Sequence, residues 1–172
     1  MEVTCFVWAS FMNDLKSATN KSSFRIPVPW VYTIGYLVGI GTQFLVPVSI
    51  NSAYLFTIVR IFGILLAAAG AVLMSWPQMI FRKHQTTTVP TETTTTFVTW
   101  GPYRFSRNPM YLGLFLFFAG LSLIFVLAWS IISLFVVVYY VNSKVIPIEE
   151  KQLERNFGND YHKYCKKVRR WI

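Results

Sequence analysis

The sequence predicts an all-α polytopic membrane protein, with about four transmembrane helices, the last two as a hairpin, and short C-terminal cytoplasmic helices. Three observations lead there. Apolar residues make up 54% of the chain and charged ones 13%, about half the charged share of a soluble domain. Three runs free of charge, 26–59, 61–81 and 108–143, each exceed the roughly 20 residues that a helix needs to cross about 30 Å of hydrocarbon. The cations then fall in segments that an even number of crossings collects on one membrane face. A soluble helical bundle would need polar outer faces, which these runs lack.

In chain order, residues 1–25 read as a short amphipathic or loosely ordered cytoplasmic arm. Glu2 stands where a signal peptide is basic, and Asn13-Asp14 interrupts the short apolar stretch before it, so the arm does not read as a cleaved signal. Residues 26–172 read as one membrane-embedded domain, with a motif-bearing core at 89–172. The first span is predicted at about 30–49. It carries Gly35 and Gly39 as a G-x-x-x-G, a spacing that serves close packing in the bundle or a dimer contact. The second is predicted at about 54–81. Its Arg60 lies about 9 Å in from Tyr54 at 1.5 Å per residue, near enough to the outer end to snorkel. Residues 85–96 are threonine-rich around Pro90, a loop or short extended piece, and Gly101-Pro102 is a turn signal. Asn108-Pro109 marks a helix start, with Asn at the N-cap and Pro at the first helical position. The third run is too long for one crossing and divides into spans at about 110–127 and 129–146. Pro147, Glu149 and Glu150 mark a further start, the carboxylates complementing the helix dipole. Leu153, Phe157, Tyr161, Tyr164 and Val168 then recur at helical spacing, with Gly158-Asn159-Asp160 breaking the stretch into two short surface helices.

Orientation follows from the cations. Lys16, Lys21 and Arg25 precede the first span; Arg82, Lys83, Arg104 and Arg107 lie between the second and third. Lys144, Lys163, Lys166, Lys167, Arg169 and Arg170 lie at or beyond the end of the fourth. The positive-inside rule makes that face cytoplasmic, with both termini on it. The net charge of +9 is thereby explained by topology and anionic lipid, and nucleic acid is not needed. Cys5 and Cys165 both fall on the reducing side, where a disulfide is not expected. With His84 and His162 they show no metal-ligand spacing.

The residues able to carry chemistry cluster at the two ends of the predicted hairpin. At one end, Arg104 and Arg107 flank a helix N-terminus whose unpaired N–H groups favour anions, a setting for a carboxylate or phosphate. The same arginines also serve as interfacial anchors for lipid headgroups. At the other end stand Glu149 and Glu150, adjacent carboxylates that are costly beside lipid unless paired. The hairpin returns them to the face that holds Arg104 and Arg107, which are the expected partners. Tyr103, Tyr111, Phe157, Tyr161 and Tyr164 can wall a cation or an adenine ring, or act as interface-belt aromatics.

The sequence Gly101-Pro102-Tyr103-Arg104-x-x-Arg107-Asn108-Pro109-Met110-Tyr111-Leu112-Gly113, followed by Glu149-Glu150-x-x-Leu153-x-x-x-Phe157-Gly158-x-x-Tyr161-x-x-Tyr164, resembles the isoprenylcysteine carboxyl methyltransferase family. That family belongs with the membrane phospholipid methyltransferases. The resemblance spans about residues 89–172. It implies S-adenosylmethionine as cofactor, bound at the cytoplasmic side between the last span and the C-terminal helices. It implies catalytic roles for Arg107, Asn108 and Glu150. It also implies a cofactor pocket drawn from Tyr103, Arg104, Arg107, Pro109, Tyr111, Glu149, Glu150, Tyr161 and Tyr164. Arg107 and Glu150 are expected to read the cofactor's carboxylate and its amino group or ribose hydroxyls. One departure bears on the acceptor: prenylcysteine enzymes typically carry His where this chain has Asn108, and an amide takes no proton near neutral pH.

The implied acceptor is a lipophilic small molecule or prenylated group reached among membrane lipids. No histidine is placed as a base, which favours an acceptor already anionic, a carboxylate or a thiolate. Phospholipid amine N-methylation is the alternative within enzymes. A non-enzymatic four-helix transporter or accessory protein is the alternative outside them. It would call for a charge deep in a span, and Arg60 is the sole candidate.

Overall fold

The computed structural model describes residues 27–48, 53–83 and 97–172, all helix, turn or irregular, with no strand among the described residues. Helix α1 spans Val28–Leu45 and α2 Ala53–Lys83; a 3-10 turn at Gly101–Arg104 leads to α3, Pro109–Ile124. Helix α4 spans Ala128–Tyr140, a π-helical turn covers Val141–Val145, and α5 runs Ile146–Lys167. The arm at 1–25, the connection around Asn51 and the threonine-rich stretch 85–96 lie outside the described residues.

Two helical stretches, Ala53–Ile80 and Ala128–Lys167, are long and apolar enough to cross a membrane; Pro109–Ile124 is apolar but shorter. The outward faces carry exposed Phe44, Leu45, Leu65, Val72, Phe135 and Val136. Such surfaces suit contact with lipid tails rather than water.

The helices pack chiefly as two pairs, α2 on α3 and α1 on α4. Small residues set both. A Cβ added at Gly70 would lie 2.4 Å from the Phe117 nitrogen, and one at Gly120 2.4 Å from the Ala67 nitrogen. A Cβ at Gly39 would lie 2.3 Å from the Ser130 Cα. Lipid offers helices no hydrophobic drive to associate, so close backbone contact and interhelical hydrogen bonds hold them. Ser130 Oγ donates to the Tyr36 carbonyl at 3.3 Å and Ser133 Oγ to the Gly35 carbonyl at 2.7 Å. The Gly35/Gly39 spacing is therefore spent inside the bundle, against α4. Tyr32, Leu134, Val141 and Ile146 are fully buried in the core between the pairs.

The hairpin turn falls where it is expected. Leu127 N–H bonds the Ser122 carbonyl and Val126 N–H that of Leu123, the Schellman pattern that closes a helix. Its left-handed position holds Val126, with φ 55°, a conformation that glycine adopts without strain and a β-branched residue does not. Arg60 does not simply snorkel. Its Nε donates to the Ile124 carbonyl at 2.9 Å and its guanidinium lies 4.6 Å from the Phe56 ring centre, so it satisfies the end of α3.

Two local expectations need correction. Asn108 is the N-cap residue of α3, but its side chain does not cap; its amide donates to the Arg170 carbonyl instead, at 3.1 Å. Pro147 does not open a separate helix. The α4 backbone continues through the π turn, where Ile146 N–H bonds the Val141 carbonyl five residues back. Proline lacks an N–H and crowds the carbonyl four residues before it; the wider turn sits on that carbonyl, at Ser143. The expected break at Gly158 is present as a kink, with φ 48° and ψ −118°.

Candidate functional site

Three segments converge at one end of the bundle: the loop between the 3-10 turn and α3, the start of α5, and residues 168–171 beyond it. The loop and the last segment are laced through backbone. Arg107 N–H donates to the Arg169 carbonyl at 3.0 Å. Ser106 Oγ and Asn108 Nδ2 both donate to the Arg170 carbonyl, at 3.3 and 3.1 Å.

Glu150, just past the first turn of α5, sits between two guanidinium groups. Its Oε1 forms an ion pair with Arg107 Nη1 at 3.0 Å and accepts from Arg170 Nε at 3.1 Å, and its Oε2 accepts from Arg170 Nη2 at 2.6 Å. Arg170 Nη1 also donates to Asn142 Oδ1 at 3.3 Å, and that oxygen accepts the Trp171 indole N–H at 3.1 Å. Arg107 Nη1 further lies 2.9 Å from Cys165 Sγ and 3.4 Å from the Tyr161 hydroxyl. Two guanidiniums against one carboxylate leave the cluster with a net charge of +1. Burial acts to lower the Arg107 pKa, but Glu150, Cys165 and Tyr161 more than offset it and hold it above its ordinary value. Arg107 Nε is buried and has no hydrogen-bond partner among the described residues, a donor whose desolvation is uncompensated until an acceptor arrives.

An aromatic wall stands beside this cluster. Phe97 stacks on Phe157 at 4.8 Å and meets Tyr164 edge-on at 5.4 Å and Tyr161 at 6.1 Å. The Tyr164 hydroxyl donates to the Tyr103 carbonyl at 2.7 Å, tying α5 to the 3-10 turn. Burial pushes the Tyr164 pKa up to about 12, with Arg107 pulling it down and Cys165 adding to the rise. Burial likewise raises those of Tyr103 and Tyr161.

Glu149 looks elsewhere. Its Oε1 accepts from the Tyr111 hydroxyl at 2.5 Å, so it does more than complement the helix dipole. An apolar groove of about 280 Å³ lies between α3 and α4, lined by Leu112, Phe115, Phe135, Val138 and Trp171.

Of the residues singled out from the sequence, Arg107, Asn108, Glu150 and Tyr161 meet in the cluster. Tyr103 and Tyr164 form its flank, Tyr111 and Glu149 pair beside it, and Pro109 is buried as the first residue of α3. Arg104 is exposed and makes no ion pair among the described residues. Sequence reasoning missed Arg170, Asn142, Ser106, Cys165, Phe97 and Trp171. Asn142 left a usable signal, an amide among apolar residues near the end of the charge-free run 108–143.

Residues 58–160 match the phospholipid methyltransferase family, more than half of the chain. An uncharacterized protein of Haemophilus influenzae is 44% identical over 46 residues, which are 27% of this chain and 70% of that protein. No solved structure matches the chain. With the family match extending from α2 through the Glu149–Glu150 helix, the chain belongs to the phospholipid methyltransferase family, within the isoprenylcysteine carboxyl methyltransferase-like superfamily.

Proposed function

We propose that the chain is an integral-membrane, S-adenosylmethionine-dependent methyltransferase acting on a lipophilic acceptor. The observation that carries this reading is the cationic cluster around Glu150, with its unpaired Arg107 Nε, set between an aromatic wall and an apolar groove. These residues fit the cofactor. Arg107 suits its carboxylate; Phe97, Phe157, Tyr161 and Tyr164 suit its adenine ring and sulfonium; Tyr103, Pro109 and Tyr111 shape the wall on the α3 side. When bound, the cofactor supplies an electrophilic methyl group. The chain's part is to align the acceptor and exclude water. Glu150, with both oxygens taken by guanidiniums, sets the arginines in place. The groove between α3 and α4 supports an acceptor with a hydrocarbon portion.

The reading includes four crossings with both termini cytoplasmic. Its support is the placement of every basic segment at one end of the spans. Apolar α1 and α3 flanking the two longer spans support the count.

An acceptor already anionic, a carboxylate or thiolate, needs no base. The hydrogen bond from Tyr111 to Glu149 favours a second reading, phospholipid amine N-methylation, because a carboxylate there can draw an ammonium headgroup and take its proton. Calorimetry on protein purified in detergent is expected to show binding of S-adenosylhomocysteine. No heat at millimolar ligand refutes the cofactor reading. Labelled cofactor supplied to membranes, followed by lipid extraction, separates the acceptors: methylated amine headgroups appear only under the second reading.

A further inference from the structure

Resting on the cofactor reading above, we propose that Arg170 is a positioning residue of the site: by clasping Glu150 it keeps the inner edge of Arg107 available to the anionic group of a ligand. Arg170 takes Glu150 through a two-pronged grip, Nε to Oε1 at 3.1 Å and Nη2 to Oε2 at 2.6 Å. Planar guanidinium–carboxylate forks of this kind fix orientation as well as charge. Arg107 is left a single prong on the same carboxylate, Nη1 to Oε1 at 3.0 Å. That Nη1 also faces Cys165 and Tyr161, while Nε stays buried and unmatched.

The alternative arrangement explains why Arg170 matters. Without its fork, Glu150 would close on Arg107 as a bidentate pair, which is the preferred geometry of an isolated arginine–carboxylate contact. The pair would be neutral, and the Arg107 edge that faces inward would be consumed. With Arg170 present the cluster keeps its net positive charge and the buried, unmatched Nε of Arg107. The same residue also locates Arg107 through backbone, since the Arg170 carbonyl accepts from Ser106 and Asn108 on either side of it. Arg170 therefore governs both where Arg107 stands and what remains free on it.

The test compares two probes on the full chain in detergent. S-adenosylhomocysteine carries the amino-acid carboxylate; 5′-methylthioadenosine has the same nucleoside and sulfur but no carboxylate. The wild type is expected to prefer the first. Arg170→Gln is expected to shrink that preference by roughly ten- to a hundredfold, the worth of a charge-assisted hydrogen bond, while methylthioadenosine affinity stays unchanged. Arg170→Lys restores only a small part of the preference, because a point charge cannot form the fork. A wild type that binds neither probe refutes the cofactor reading itself. A wild type that binds both equally overturns the anion role. Equal losses for both probes in the variants, or binding of neither, overturn the proposal by making Arg170 a structural staple.

Discussion

Replacing Glu150 with glutamine removes one oxygen's worth of acceptor and the only negative charge between Arg107 and Arg170. An amide oxygen can still serve one guanidinium. The amide nitrogen that replaces the other oxygen faces donors and cannot accept, so at least one charge-assisted bond is lost outright, and the remaining contacts keep an ionised donor but lose the ionised acceptor. Breaking a buried ion pair by removing one partner's charge costs about 3–5 kcal/mol. The side chains are 18%, 19% and 33% exposed, so water recovers part of this and about 2–3 kcal/mol is expected to remain. For a chain of this size that is a fall in Tm of about 4–12 °C, read by differential scanning fluorimetry in detergent. Binding of S-adenosylhomocysteine should weaken by roughly ten- to a hundredfold at the same time. Glu149→Gln is the paired measurement. Its amide oxygen can keep the Tyr111 hydroxyl, so a loss of about 1 kcal/mol or less is expected. Equal falls for the two variants, or no fall for Glu150→Gln, would refute the assignment of the cluster to Glu150.

Three further outcomes are expected. The Tyr164 hydroxyl is raised from 10.0 to about 12, so its contribution to stability is complete below pH 10 and is lost as pH rises from 10 towards 12. Tm measured against pH should fall less steeply across that window in Tyr164→Phe than in the wild type, and parallel curves would contradict it. Gly70→Leu places a side chain against the Phe117 backbone and should cost at least the roughly 1–3 kcal/mol of an overpacked core. Gly41→Leu, where an added Cβ meets nothing within 4 Å, should leave the melting temperature nearly unchanged. Val126→Gly relieves a β-branched residue at φ 55° and should raise stability by about 1 kcal/mol, visible as a higher Tm; a lower Tm would show that the Val126 side chain is worth more than the strain.

Much of this arrangement was legible in the sequence because it is dictated by length and sign. Charge-free runs of membrane length became helices, the turn fell near Leu127, and Gly158 kinked the tail. Opposite charges at the two ends of a hairpin met, as Arg107 and Glu150 do. Arg170 was hidden for a physical reason: a basic tail beside a membrane is already explained by topology, so nothing in its composition says that one of its arginines turns back twenty residues to grip a glutamate. Pro147 misled because proline followed by carboxylates is a local start signal, and the wider turn before it leaves no such mark. The different duties of Glu149 and Glu150 follow from helical geometry, since neighbours on a helix point about 100° apart, but which one faces inward depends on packing that the local pattern does not fix.

That choice is made by the single wide turn at Val141–Val145. The inward positions of the long helix run Leu134, Val137, Val141, then skip five to Ile146, and continue through Glu150, Leu153, Phe157, Tyr161, Tyr164 and Val168. Elsewhere the steps are three or four. One added residue advances the phase of everything downstream by about 100°. Had the turn closed with the ordinary spacing, the next inward places up to the Gly158 kink would be Val145, Glu149, Gln152 and Asn156. Phe157 would turn away from Phe97, and the other glutamate would face the arginines. The wide turn thus acts as a phase shifter between the lipid-facing half of the helix and its reactive half. Removing one residue of the turn other than Asn142 should regularise the helix and keep Glu150 inward, whereas one added residue should bring Glu149 inward in its place.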